Sequence, residues 1–488
     1  MTNPTRFFYL QVCLLLISSN SMVWAQVAST GAIFGTIVDN SGAAVPAASI
    51  TVVNQATQVK RNLTSNDTGF YSAESLLAGS YEVTIQKPGF KETVLRDLTL
   101  APGQRLQSNI TLEVGAVETK VDVEAEAVRV ETESGESAGV IGGTQVENLL
   151  LNGRNFLGLG LLVPGVNSAT ITGRAVGGGS LNSGGLTGET PLSINGLGRE
   201  YTNYTVDGAY NMNTGNNINL NITPTLDTIA EFRILKDNYS SKYGVAGSAQ
   251  VLVESKSGSR TFHGSLYDFL RNDKVDASNF FSAGNKTPLR QNNFGFALGG
   301  PVTIPHIYNR NRDKNTFFFV NEEWRVIHSG STVRGAMIPE AMRNGDFSGS
   351  TTFGAKGNQL VFDDAANNFL AGKNCLTGPT TLNTACFDPN AVAILKHYWP
   401  LPNNPAGGFN NYINPGVDVI DQRNDAYRID QYFGQKLVLM GRFMYEEVKD
   451  SPPNLAWGPN PAPTTRQSIY TTGRTPWCGS LLTSARAW

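Results

Sequence analysis

IAEFRILKDNYSSKYGVAGSAQVLVESKSG, residues 229–258, contains two apolar runs, EFRILK and AQVLVES, on either side of a small polar stretch centred on Tyr243-Gly244. Each run has the length and the apolar, β-branched content of a strand, and the Ser- and Gly-rich segment between them interrupts the pattern. Neither run holds a nucleophile with its base, nor a set of metal ligands. A sheet this plain must be understood from what it fits against.

The whole chain narrows the possibilities. Its 488 residues allow two to four domains. A formal charge of −2 creates no global field to draw in nucleic acid or an anionic membrane. Charged residues are only 16% and glycines number 51, a balance that suits β-structure with many turns. Arg6, the apolar run FFYLQVCLLLI (7–17) and the small residue Ala25 together predict a secretory signal peptide over residues 1–25. Cys13 lies inside that run, and LQVC lacks the small residues expected before a lipoprotein cysteine. No other stretch approaches the roughly 18 apolar residues of a membrane helix. An exported chain of this kind is either soluble or meets a membrane as β-strands.

Four cysteines occur, Cys13, Cys375, Cys386 and Cys478. Cys375 and Cys386 enclose LTGPTTLNTA and form the candidate disulfide; the competing metal site has no His or third Cys nearby. Cys478 is left over.

Residues 29–113 read as a small antiparallel sandwich of about seven short strands. SYEVTIQ alternates Tyr81, Val83 and Ile85 against polar neighbours, and RLQSNITLEV repeats the pattern. The segments GTIVDNSGAAVPAASI, TGFY, LAGSYEV and PGF resemble a carboxypeptidase-regulatory-like domain. That resemblance implies a transthyretin-like β-sandwich of carbohydrate-binding-like fold, an accessory module without catalytic residues.

An enzyme is not expected. The four histidines, His263, His306, His328 and His397, sit in neither HxxE nor HExxH. GxSxG and GxxxxGK[ST] are absent, and GGGSLNSGG (177–185) follows no strand and opens no helix. No catalytic, metal or cofactor residue is assigned.

Residues 114–143 form an acidic connector; Glu113–Ser137 carries eight acids against Lys120 and Arg129. It reads as a solvated linker, or else VETKVDVEA (117–125) acts as an added strand that pairs with an exposed sheet edge. Beyond it, Thr144 is placed to cap a short helix with Val146, Leu149 and Leu150 as its apolar stripe, ended by Asn152-Gly153. Eight Asn between Ser193 and Asn221 argue against a large apolar core there, because buried Asn must be hydrogen-bonded.

LNGRNF, LVPGV, SING, NYTVDG, TIAEFRILKDNYSSKYG, SGSRTFHGSLYDFLRND and DASNFF resemble the plug and first barrel strand of a TonB-dependent outer-membrane receptor, closest to its Oar-like branch. The resemblance implies a mainly β chain: the sandwich, a plug (α+β) over 144–258, and an incomplete transmembrane antiparallel β-barrel over 259–465. It places the N-terminal domain in the periplasm and makes a periplasmic TonB protein, outer-membrane lipid and an unidentified extracellular ligand the partners, with no nucleic acid. Asn195, Gly196, Asp207, Gly208, Arg233, Tyr243 and Gly244 become plug-signature positions of structural role. Val117, Glu118, Thr119, Lys120, Val121, Asp122 and Val123 become the TonB-box candidate. The alternative is a secreted or surface β-rich protein that binds carbohydrate or protein.

Strand periodicity supports a wall. In NNFGFALGGPV, Phe294, Phe296 and Leu298 face away from Asn293, Gly295, Ala297 and Gly299. In KLVLMGRFMYEE, Leu437, Leu439, Gly441, Phe443 and Tyr445 oppose Lys436, Arg442 and Glu446. NTFFFVNEEWRVI is mixed, and TFHGSLYDFLRN is ambiguous in register. Residues 338–430, rich in Asn, Pro and Gly, read as long outer loops. A plugged barrel has about 22 strands, and the 229 residues after Ser259 hold about four to six, so a fragment is expected. Residues 466–488 show no strand alternation and are expected to be an aberrant tail, with Trp488 a coincidental aromatic end.

Overall fold

The computed structural model describes residues 30–115, 120–124, 135–168, 192–213, 217–244, 247–277, 288–304, 307–309, 315–335, 337–348, 375–378, 381–404, 411–435, 437–451 and 469–478. The expected signal peptide, the 177–185 loop, Val117, Glu118, Thr119 and Trp488 lie outside the described residues.

The first unit packs two sheets. Strands β1 (Gly31–Asp39), β4 (Phe70–Leu76), β7 (Arg105–Gln107) and β8 (Ile110–Leu112) form one. Strands β2 (Ser49–Asn54), β3 (Lys60–Thr64), β5 (Gly79–Gln86) and β6 (Glu92–Leu100) form the other, which β9 (Lys120–Glu124) extends at its edge. Ile33, Ile37, Ile50, Val83, Ile85, Leu95 and Leu112 fill the space between them. The sheets are not purely antiparallel as expected: β1 runs parallel to both β7 and β8, because the chain crosses between sheets after β6.

In the second unit the two runs of the opening stretch are β15 (Ile229–Asp237) and β16 (Ala249–Ser255), antiparallel neighbours joined through a 3-10 turn at Ser241–Tyr243. They lie inside a five-stranded sheet with β10 (Ser137–Ile141), β13 (Thr202–Val206) and β14 (Ala209–Tyr210), in the order β10-β15-β16-β13-β14. All seven residues of β16 are buried, which explains a run with almost no polar alternation: both faces are covered. Helix α1 (Gly143–Asn148) and the small pair β11 (Val166–Ser168) and β12 (Leu192–Ile194) complete the unit.

Two expectations fail here. The Asn-rich region does build a large apolar core, in which Val146, Phe156, Leu159, Tyr204, Met212, Phe232, Ile234 and Val251 pack together. Some of its asparagines stitch loops, and Asn203, buried in β13, donates to Gln250 at 2.8 Å. Asn211 bridges Ile222 in both directions, donating to its carbonyl at 2.8 Å and accepting from its amide at 3.1 Å. Of the α1 stripe only Val146 is inside; Leu149 and Leu150 are exposed, because the helix ends at Asn148 and turns them outward.

The third unit is a six-stranded antiparallel sheet with the strand order β17 (His263–Asn272), β18 (Leu289–Pro301), β19 (Thr316–Gly335), β22 (Tyr412–Phe433), β23 (Leu437–Ser451) and β24 (Ile469–Cys478). It is open, not closed into a cylinder, as expected of an incomplete barrel. Its alternation resolves the mixed and ambiguous strands. In β19, Phe317, Phe319, Asn321, Glu323 and Arg325 point to the covered face. In β17, Tyr267 points inward to Glu323, while Leu266 and Leu270 are exposed. Phe294, Leu298, Leu439 and Phe443 are exposed on the opposite face, as their parity predicts.

The expected absence of a strand after Arg466 is corrected by β24, which pairs with β23 from Asp450↔Ile469 to Gly441↔Cys478. Ladder pairing uses backbone groups, and the open edge of β23 accepts a strand whose side chains alternate poorly. Between β19 and β22 the long excursion contains α2 (Glu340–Arg343), β20 (Leu376–Gly378), β21 (Thr381–Leu382) and α3 (Pro389–Tyr398). Cys375 and Cys386 are disulfide-bonded there, with Cα atoms 5.8 Å apart. This excursion leaves the sheet at the end opposite the short turn after Phe433.

Gly35 tests the sandwich packing. A Cβ there collides with the Ser108 carbonyl, a backbone atom that cannot move aside. Gly35→Ala is expected to destabilise the sandwich by about 1–3 kcal/mol, read as faster amide exchange across β1 while β15 and β16 exchange unchanged.

Candidate functional site

Asp207 and Gly208 join β13 to β14 as a two-residue hairpin turn. Both have positive φ, 47° and 81°, the left-handed pair that a type I′ turn demands and that Asp-Gly adopts readily. Asn195-Gly196, with φ of 53° and 77°, makes an equivalent turn before Leu197. The turn aims the Asp207 carboxylate at the wall, where it is fully buried. It accepts from the Ser255 amide at 2.7 Å and the Ser255 hydroxyl at 2.8 Å. Arg442 of β23 approaches to 2.8 Å and Arg428 of β22 to 3.3 Å. Arg428 also contacts Asp430 at 2.9 Å, Glu254 at 3.5 Å and the Ser255 carbonyl at 2.8 Å.

This is the centre of the contact between the second unit and the wall. Burial alone would raise the Asp207 carboxyl, but Arg442 and Arg428 outweigh it and hold the group below the usual carboxylate range. Around it the contact remains polar. The Thr223 amide donates to Glu446 at 2.9 Å, and the Thr225 and Thr228 hydroxyls donate to Asn321 at 2.8 and 3.0 Å. Arg154 pairs with Asp227, lies 3.7 Å from Glu323, and sits 4.1 Å above the Phe269 ring. Hydrogen bonds and ion pairs of this kind can be exchanged for water, whereas a continuous apolar seam cannot. Among the described residues, only Ala426 and Met444 of the wall join the apolar core of the second unit.

The expected signature residues do not converge on one point. Asp207 and Gly208 form the cluster, while the Asn195 side chain donates to Asp237 at 3.1 Å on another loop. Arg233 is buried and pairs with Glu136 at 3.2 Å, fixing the start of β10. Tyr243 precedes Gly244 in the turn between β15 and β16 and packs against Gly103 of the sandwich; burial pushes its hydroxyl up to about 12. Sequence reading missed Arg154, Arg428 and Arg442 as functional partners. For Arg428 and Arg442 the signal was parity: an arginine on the inner side of a membrane strand needs a buried acid to face it; Arg154, in the turn Asn152–Arg154, carried no such signal. Lys120, Val121, Asp122 and Val123 lie in β9, paired in parallel with β6. Among the described residues no group of three or more His, Cys, Asp or Glu is placed to hold a metal.

Three family models match successive parts of the chain: a carboxypeptidase regulatory-like domain over residues 32–113, a TonB-dependent receptor plug domain over 132–251, and an outer membrane β-barrel domain over 254–478. A comparison with curated proteins finds no match. Among solved structures, the outer membrane transporter YddB from Escherichia coli is 10% identical, with 65% of this chain and 34% of that chain covered at a TM-score of 0.37. A putative carbohydrate binding protein from Bacteroides uniformis is 18% identical over 17% of this chain and 40% of its own, with a TM-score of 0.15. The Bacillus anthracis TIE protein is 19% identical over 17% of this chain and 16% of its own, with a TM-score of 0.16. The chain thus spans about a third of the transporter's length.

The plug and outer-membrane barrel matches place the chain in the outer membrane with its plug side toward the periplasm. With the plug and wall preceded by the regulatory-like sandwich, successive parts of the chain match the domains of a TonB-dependent outer-membrane receptor.

Two substitutions test the cluster. Asp207→Asn takes from Arg442 the carboxylate at 2.8 Å and from Arg428 one of its three, and is expected to cost about 3–5 kcal/mol of plug stability, measured as a lower urea midpoint for exchange of β13 and β16. Glu231, opposite Glu254 across β15 and β16, is pushed up to about 7 by burial. The folded chain then holds this proton between pH 4.5 and 7 where the unfolded chain has lost it, so stability falls as pH rises through that window. Glu231→Gln is expected to lessen the fall and to gain roughly 2–3 kcal/mol above pH 7, seen as a flatter melting-temperature profile against pH.

Proposed function

We propose that this chain takes part in energised uptake of a ligand too large for porins, such as a glycan, a peptide or a metal chelate, across the outer membrane. The ligand binds from outside, the plug shifts against the wall, and a periplasmic TonB protein supplies the pull through Val117–Val123. The observation that carries this reading is the plug–wall contact. It is built around one carboxylate and two arginines with hydrogen bonds on every side, a contact that seals and yet exchanges with water. The order of sandwich, acidic connector, plug and wall supports an Oar-like receptor, with residues 117–123 where the energy-coupling segment of such a receptor stands. The stapled excursion between β19 and β22 emerges at the end away from the sandwich and is the natural place for ligand contacts.

Deleting residues 117–123 tests the reading. The deleted receptor is expected to fractionate with the outer membrane as before but to lose capture by the periplasmic domain of the TonB protein. Unchanged capture, or release of the intact chain into the medium, would contradict it.

A further inference from the structure

The connector is not free where it leaves the sandwich. The Glu113 carbonyl accepts from the Lys91 amide at 2.9 Å, and the Gly115 amide donates to the Gly89 carbonyl at 3.1 Å. Phe90 and Val114 form an antiparallel bridge at the same place. Five residues after Gly115 the chain becomes β9, which runs parallel to β6 from Glu92↔Lys120 to Arg96↔Glu124. β9 is the last strand of its sheet, in the order β3-β2-β5-β6-β9. A β-strand has two hydrogen-bonding edges, and β6 occupies one of them. Among the described residues no strand pairs with the other, and an edge of this kind is one to which an extended segment of another chain adds.

We propose that the sandwich is a presentation platform: it holds β9 extended so that a strand of the periplasmic TonB protein adds to the outer edge of β9, making one sheet continuous from β3 into the partner. This rests on the receptor reading above, and it adds a role for the accessory domain. A loose connector would have to be ordered at the moment of binding, and its lost freedom would weaken the complex. Here β6 has ordered Lys120–Glu124 beforehand, so partner recognition depends on sandwich residues that never touch the partner. Peeling β9 away from β6 is unnecessary, since the partner uses the opposite edge.

Arg96 offers a way to loosen β9 with little damage to the sandwich. The register of β6 with β5 skips from Leu95 to Leu98, so the ladder partner of Arg96 is Glu124 alone. Its side chain is largely exposed beside Glu82. The full-length receptor in detergent would be titrated with the purified periplasmic domain of the TonB protein. Arg96→Pro is expected to weaken binding about tenfold, with amide protection lost at 120–124 and kept across β1, β2 and β5. The converse variant is Glu92→Cys with Lys120→Cys in a Cys478→Ser background, which staples β9 to β6 when oxidised. The oxidised form is expected to bind at least as tightly as the reduced form. If oxidation abolishes binding while the reduced form binds, β9 must leave β6 to be recognised and the platform is overturned. Equal affinity of Arg96→Pro and the parent, with protection at 120–124 lost, overturns it as well. If neither the parent nor any variant binds, the receptor reading itself fails and the platform falls with it.

Discussion

A carboxylate with no access to water must be matched by positive charge, and the two arginines that match Asp207 belong to two different strands of the wall. That constraint ties the middle of the plug to β22 and β23 at once. It also sets the inward parity of both strands, because Arg428 and Arg442 must face the same buried acid. Everything on the opposite parity, Leu439 and Phe443 among it, is thereby turned outward to the apolar side. One ion-paired cluster thus fixes the seating of the plug and the inside-out sense of the sheet. Removing either sign leaves the other stranded in a poorly solvated place, a much larger penalty than the pair's own net worth.

Most of the architecture could be read directly from residue patterns. β-strand alternation separated the two faces of β18 and β23 correctly, since each packs one face against protein and exposes the other. The apolar runs of β15 and β16 were legible as strands for the opposite reason, burial on both sides. What the pattern hid were the partners. Arg442 stood on the polar side of its strand, but only the fold brings it to Asp207, 235 residues away in the chain. The asparagines between Ser193 and Asn221 misled because composition does not distinguish an amide inside a core from one that stitches a loop around it. Asn211, clasping Ile222, does the second and leaves Met212 and Ile222 free to pack.

Strand β24 marks a related limit. Side-chain alternation reports on packing of a face, whereas ladder formation needs only backbone groups and an open neighbour. A segment with weak alternation next to an unpaired edge therefore becomes a strand for reasons its own side chains do not declare. The connector strand β9 was legible only as an alternative to a solvated linker, and the same physics decided it: β6 had an edge to fill.

The sandwich is also hydrogen-bonded to the rim of the wall. Arg61 donates to the Gln435 carbonyl in the turn between β22 and β23 at 3.2–3.3 Å, and Arg260, just before β17, reaches the Thr57 carbonyl at 2.8 Å. Tyr243 of the plug rests against Gly103. The sandwich therefore touches both the plug and the short-turn rim of the wall. Any shift of the plug against the wall must either break the Tyr243–Gly103 contact or carry the sandwich along and strain its hydrogen bonds to the rim.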